Sequence, residues 1–147
     1  MGHSIPELRR IRAVSLGTER AHNVSLQPEL QAVTHDAVPL LYKLPKRQQD
    51  LVLKYSADAD DFLKAMRSLI RPGGKLITVL GNSNLRGCFV ENSALYRTLA
   101  TRHGFVLNYE RERPLLPNRR YLPITSASSA LAKRMRCEVV QQYVLAA

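Results

Sequence analysis

The clearest hydrophobic rhythm runs from Lys46 to Arg71. Leu51, Tyr55, Phe62, Met66 and Leu69 recur there at helical spacing, with Val52, Leu63 and Ile70 beside them. The pattern predicts one long bent helix, or two helices broken near Ser56 and Asp58. Arg71-Pro72-Gly73-Gly74 ends it, because a proline followed by two glycines forbids continuation. Lys75-Leu76-Ile77-Thr78-Val79-Leu80 follows with almost no alternation, which predicts a strand apolar on both faces, inside a sheet covered on both sides. It closes in Gly81-Asn82-Ser83-Asn84, a polar loop at a strand's carboxyl end, where α/β folds place their ligands. Asn92 or Ser93 is placed to cap a helix running to about His103, with Leu95, Leu99 and Ala94 inward and Gly104 closing it. Phe105 to Glu110 reads as a strand and Arg111 to Ser129 as a long loop containing Pro and Arg. Arg136 to Leu145 reads as a last strand carrying Val139, Val140, Tyr143 and Val144.

The amino-terminal third is less regular. Ser4-Ile5-Pro6-Glu7 has the form of a capping box with proline in the first turn. It opens a short basic helix that sets Leu8 and Ile11 on one side, Arg9, Arg10 and Arg12 elsewhere, and ends at Gly17. From Thr18 to Pro45 the periodicity is poor and Pro28 and Pro39 interrupt it, so loop with a short helical piece is expected. No repeat and no linker divides the 147 residues. One domain is expected, with a basic helix and irregular segment over 1–45 and the core over 46–147.

Composition narrows the function classes. Hydrophobic residues make up 45% and charged residues 23%, as in globular rather than disordered chains. No apolar run is long enough to span a bilayer and no basic-then-apolar leader opens the chain, which predicts a cytoplasmic protein. Cys88 and Cys137 are isolated thiols, and His3, His22, His35 and His103 are scattered, so no metal site is expected. No nucleophile–base pair or paired carboxylates stand out either. The 22 Lys and Arg against 12 Asp and Glu give a net charge of +10. Such a surplus favours an acidic partner, nucleic acid first, with a merely well-solvated basic surface as the bland alternative.

Several segments carry a family likeness. Helix, Arg71-Pro72-Gly73-Gly74, apolar strand, helix, His103-Gly104-Phe105 corner and two further strands follow the order of the second half of many class I methyltransferases. Gly81-Asn82-Ser83 is similar to the loop after the fifth strand of the S-adenosylmethionine-dependent DNA amino-methyltransferases whose catalytic peptide is Ser/Asp-Pro-Pro-Tyr. Arg113-Pro114-Leu115 and Asn118-Arg119-Arg120-Tyr121-Leu122-Pro123 resemble the loop between that family's last two strands. Leu8-Arg9-Arg10-Ile11-Arg12 and Leu16-Gly17-Thr18-Glu19-Arg20 resemble the segment that follows its catalytic peptide.

The resemblance implies a partial Rossmann-like α/β sheet of about three strands, the last two an antiparallel hairpin, with flanking helices in three layers. Strand 75–80 would be parallel to one neighbour and lie beside the last strand. Asn82, Ser83, Asn84 and Arg86, with Arg119, Arg120 and Tyr121, would face the target base and DNA, although Asn82 to Asn84 serve equally well as a simple turn. Tyr121 would stack on a base or cap the core. Arg9, Arg10, Arg12, Arg111, Arg113, Lys133, Arg134 and Arg136 would meet phosphates. The departures count as much. No Gly-rich turn and no Ser/Asp-Pro-Pro-Tyr peptide occurs, so no cofactor is expected to bind the chain alone, and S-adenosylmethionine only if a partner completes the site. The expected partners are DNA, and either a second copy or a complementary methyltransferase subunit at the open edge of strand 75–80. A non-catalytic basic binding or assembly module is the other reading.

Overall fold

The computed structural model describes residues 4–17, 21, 23–86, 88–115 and 137–147. Helix α1 spans Ile5–Val14, and its capping box is formed: the Ser4 N–H donates to Glu7 Oε2 at 2.8 Å and the Glu7 N–H to Ser4 Oγ at 3.4 Å. The Ser4 backbone N–H, then its hydroxyl, hold the Glu7 carboxyl below the usual range. Helix α2 (Pro28–Ala37) and a single 3-10 turn, Leu41–Lys43, lie within the stretch expected to be mostly loop. Pro28 opens α2 rather than breaking it, since a first-turn proline lacks only an N–H that would have no partner.

Helix α3 runs unbroken over Lys46–Leu69. Ser56 Oγ folds back onto Val52 O at 3.0 Å and Asp58 pairs with Lys54, so neither residue breaks the helix. Its buried face keeps Val52 and Leu63 of the apolar set, with Tyr55, Met66 and Ile70 packed at its margin, but its centre lies on small residues. Val52, Ser56, Ala59 and Leu63 form the inward row, while Phe62 and Leu69 are exposed. Small Ser56 and Ala59 let helix α4 (Asn92–Arg102) approach closely, and α4 answers with Leu95, Tyr96, Leu99 and Ala100. Proximity overrides hydrophobicity here.

The sheet has the order β1-β5-β4, with β1 at Lys75–Gly81, β5 at Cys137–Leu145 and β4 at Phe105–Pro114. Both pairings are antiparallel, Leu76 lying opposite Tyr143 and Phe105 opposite Leu145. The expected small α/β sheet with flanking helices is present, its last two strands are antiparallel neighbours, and β1 lies beside the last strand. The expected parallel neighbour of β1 is not found among the described residues. The three-layer expectation also fails, for a side-chain reason. Leu76 is buried under the helices, whereas Ile77 and Val79 on the other face are 62% and 52% exposed. The apolar run is covered on one side. Arg111 and Arg113 lie in β4 rather than in a loop, opposite Val140 and Glu138.

The main core joins Ala59 and Leu63 of α3, Leu95, Tyr96, Leu99 and Ala100 of α4, and Leu76, Phe105, Tyr143 and Leu145 of the sheet. Burial pushes the Tyr96 and Tyr143 phenols far above their usual range, so both are neutral. A polar bridge crosses this core. The Tyr143 hydroxyl donates to Gln141 Oε1 at 2.8 Å, and Gln141 Nε2 donates to Ser93 O at 3.0 Å and Glu110 Oε2 at 2.7 Å. Arg97 closes it on Glu110 at 2.6 Å.

A second cluster joins Val38, Leu41 and Leu44 to Val52 and Leu53 of α3 and to Val90. Asp50 ties the chain before it to the same helix: Oδ2 accepts the Asn23 N–H at 3.1 Å and Oδ1 accepts from Lys46 Nζ at 2.8 Å. The Lys46 hydrogen bond holds this buried carboxyl below its usual range against the opposing pull of burial. A carboxyl lowered in the folded state stabilises above its unfolded pKa of about 3.9 and loses that contribution as pH falls through the folded value. Asp50→Asn is therefore expected to lower stability at neutral pH and to flatten the fall below about pH 4. Urea midpoints measured from neutral to acid pH check this, and an unchanged acid limb would exclude Asp50 as its source.

Candidate functional site

Beyond the carboxyl end of β1 the chain makes a small antiparallel hairpin, β2 (Ser83–Leu85) and β3 (Cys88–Val90), before entering α4. Arg86 turns it with a positive φ of 48°, a left-handed conformation uncommon outside glycine and asparagine. The hairpin, the first turns of α3 and the end of the α1 segment enclose a cleft of about 460 Å³. Gly17, Arg47, Gln48, Tyr55, Ser83 and Asn92 contribute to its wall, and Leu51, Val52, Leu85 and Val90 line its apolar part.

Asn92 builds the sheet-side wall. Its Nδ2 donates to Gly81 O at 2.8 Å and Ser83 Oγ at 2.9 Å, which fixes the exit of β1 against the start of α4. Asn82 points elsewhere. Its Oδ1 accepts the Ser93 N–H at 3.1 Å and the Ser93 hydroxyl at 3.2 Å, supplying the cap that Glu91, at the N-cap position, does not. The Asn82 oxygen is thus engaged at the start of α4. Ser83 does line the cleft, Asn84 is half-buried in β2, and Arg86 is exposed at the hairpin turn.

The cleft also gathers residues that sequence reasoning missed. Arg47 is exposed and Gln48 half-buried at the opening of α3, and Arg47 has no ion-pair partner among the described residues. Burial raises the Tyr55 phenol above its usual range, leaving a neutral ring with a polar tip. The basic Lys46-Arg47 pair after Pro45 was the available signal. Together these groups offer a guanidinium, a carboxamide that both donates and accepts, a hydroxyl and an aromatic wall. That set suits a planar polar ligand bearing or adjoining an anion.

The arginines expected at phosphates are not gathered at this cleft. Arg9, Arg10 and Arg12 lie on exposed α1, beside the exposed Ile5, Leu8 and Ile11. Arg111 and Arg113 extend along β4, Arg113 paired with Glu138. Arg119, Arg120, Tyr121, Lys133, Arg134 and Arg136 lie outside the described residues.

The two glycine amides that lead into β1 are both engaged within the chain. The Gly73 N–H donates to Leu145 O at 2.9 Å and the Gly74 N–H to Arg71 O at 2.8 Å, so both amides are spent on the turn into β1. A Cβ at Gly74 would meet Ile70 and Arg71, which makes this a packing glycine. No cluster of metal-ligating side chains occurs among the described residues, and His103 is engaged by Asp60 at 2.8 Å. No described helix is long and apolar enough to cross a membrane. The chain matches no family model, no curated protein and no solved structure.

Proposed function

We propose that this chain is a DNA methyltransferase-like fragment or subunit that contributes DNA and target-base contacts, while a partner supplies S-adenosylmethionine binding and the catalytic peptide. The observation that carries this reading is the cleft beyond the carboxyl end of β1, where Ser83, Gln48 and Arg47 converge on a chain of net charge +10. Carboxamide and hydroxyl groups suit the hydrogen-bonding edge of a base, and a guanidinium suits the phosphate beside it. The adjacency of β1 and β5 supports the reading too, being the one the resemblance implies for the fifth and last strands. The engaged Gly73 and Gly74 amides favour a donor held by another chain, and favour equally the alternative of a non-catalytic basic binding or assembly module. The partner reading that goes with the function is a second copy or a complementary subunit at the β1 edge. The compartment that goes with it is the cytoplasm.

Binding of short duplex and single-stranded DNA, followed by fluorescence anisotropy across a salt series, tests the proposal. Affinity is expected to fall steeply with salt, and each phosphate contact removed should lower the log–log slope by roughly 0.9 on duplex DNA. Arg119→Ala with Arg120→Ala should weaken binding and flatten that slope, and Arg47→Ala should weaken it further. Calorimetric titration of the pure chain with S-adenosylmethionine should show no heat of binding. Absence of DNA binding at low salt would overturn the proposal, and micromolar donor binding would overturn its division of labour between chains.

A further inference from the structure

The wall of the cleft at the exit of β1 has a fixed hydrogen-bonding polarity. Asn92 spends both hydrogens of its side-chain amide, on Gly81 O at 2.8 Å and on Ser83 Oγ at 2.9 Å. The carboxamide is thereby held one way round, and its open group is Oδ1, which only accepts. Ser83 Oγ already accepts from Asn92, and its own hydrogen has no acceptor among the described residues. Two bonded residues of the wall thus offer an acceptor and a donor. A nucleobase carries the counterpart, a donor beside an acceptor on its Watson–Crick edge. Tyr55 adds an aromatic ring for a base to stack on, and Leu51 and Leu85 add apolar surface.

Charge on this wall is as restricted as its polarity. Arg47 is the single charged residue among the described ones that line the cleft, and no acidic residue stands in the first turn of α3 to neutralise it. One guanidinium matches one phosphate. Arg9, Arg10, Arg12, Arg111 and Arg113 are not part of the wall, so a second phosphate along a strand meets none of them there. The volume of about 460 Å³ lies in the range of small-ligand sites. Resting on the reading of the cleft as a base-and-phosphate site, we propose that it binds one free nucleoside 5′-monophosphate. The base edge meets Ser83 and Asn92, the ring lies against Tyr55, and the phosphate pairs with Arg47. The strand that would carry the nucleotide in DNA is not needed for its recognition.

Calorimetric titration of the full chain with AMP, CMP, GMP and UMP at low salt tests this. At least one of the four should bind with a Kd of about 1 mM or tighter. The matching nucleoside and ribose 5-phosphate should each bind about tenfold more weakly or worse, since each lacks one half of the contacts. Arg47→Ala should weaken the nucleotide about tenfold and leave the nucleoside unchanged. Ser83→Ala should weaken nucleotide and nucleoside alike, by about threefold to tenfold. Absence of binding by all four at millimolar concentration would overturn the proposal. So would ribose 5-phosphate binding as tightly as the nucleotide, or an Arg47→Ala variant of unchanged affinity. Should Ser83→Ala fail to fold, by circular dichroism, Arg47→Ala, at an exposed side chain, decides alone. A chain that binds DNA but no mononucleotide overturns only this proposal, and one that binds a mononucleotide but ignores DNA overturns only the proposed function.

Discussion

Gln141→Leu is expected to destabilise the protein by roughly 1–3 kcal/mol, although leucine is close in size and the site is fully buried. Gln141 is the hinge of the polar bridge. Its amide serves Ser93 O and Glu110, and its carbonyl receives the Tyr143 hydroxyl. Leucine leaves the buried Tyr143 hydroxyl without its acceptor, and such a loss costs about 1–3 kcal/mol, whereas the exposed Glu110 carboxylate keeps its two hydrogen bonds from Arg97. The apolar side chain returns part of that through burial, which sets the lower end of the range. Tyr143→Phe alone should cost less, because it removes the donor and leaves Gln141 with its other partners. In the double variant the two losses should fall short of additivity by about 1 kcal/mol, since the second change deletes a group that the first had already stranded. Urea unfolding of the cycle measures this. A Gln141→Leu variant no weaker than Tyr143→Phe would show that the bridge contributes little.

Phe105→Ala should cost about 3–5 kcal/mol, the usual range for emptying a large buried aromatic site. Phe105 is fully buried in the main core, opposite Leu145, among residues from both long helices and the sheet. Gly104, at a φ of +78°, fixes the turn that delivers the ring, and Ala146 N–H bonds to Gly104 O. Phe62→Ala is the control: the same chemical change at a side chain 38% exposed should cost much less. Equal losses at the two positions would place the core elsewhere.

What was legible in the sequence was what depends on neighbours along the chain. Arg71-Pro72-Gly73-Gly74 ends α3, the apolar run from Leu76 to Leu80 is a strand, and the next helix runs to its closing glycine, although its N-cap is Glu91 rather than Asn92 or Ser93. The capping box at Ser4 and Glu7 forms as written. What depends on distant contacts was not legible. The face of α3 turned on Ser56 and Ala59, residues that hydrophobicity ranks low but close helix packing favours. The direction of β1 was set by pairing with a segment more than half the described core away in sequence. The β2–β3 hairpin has strands too short to show a period, and its turn places Arg86 in the left-handed region, which sequence seldom signals. At the cleft, the Gly81-Asn82-Ser83 loop was marked by its place after a strand. Arg47, Gln48 and Tyr55 were not, because they come from a helix whose orientation only the fold determines.

The pairing of β4 with β5 shifts by one residue between Leu107 and Tyr109, leaving Asn108 without a counterpart. Beyond the shift, Glu110 rather than Tyr109 stands opposite Gln141. The consequence concerns chain length. β4 holds one residue of slack, so losing a single codon in this stretch can be absorbed by straightening the bulge, with Glu110 and everything after it keeping their counterparts. An added codon has no such reservoir and must open a second bulge or turn the rest of the strand over. In-frame deletions and insertions at the same place are thus unequal events for this gene.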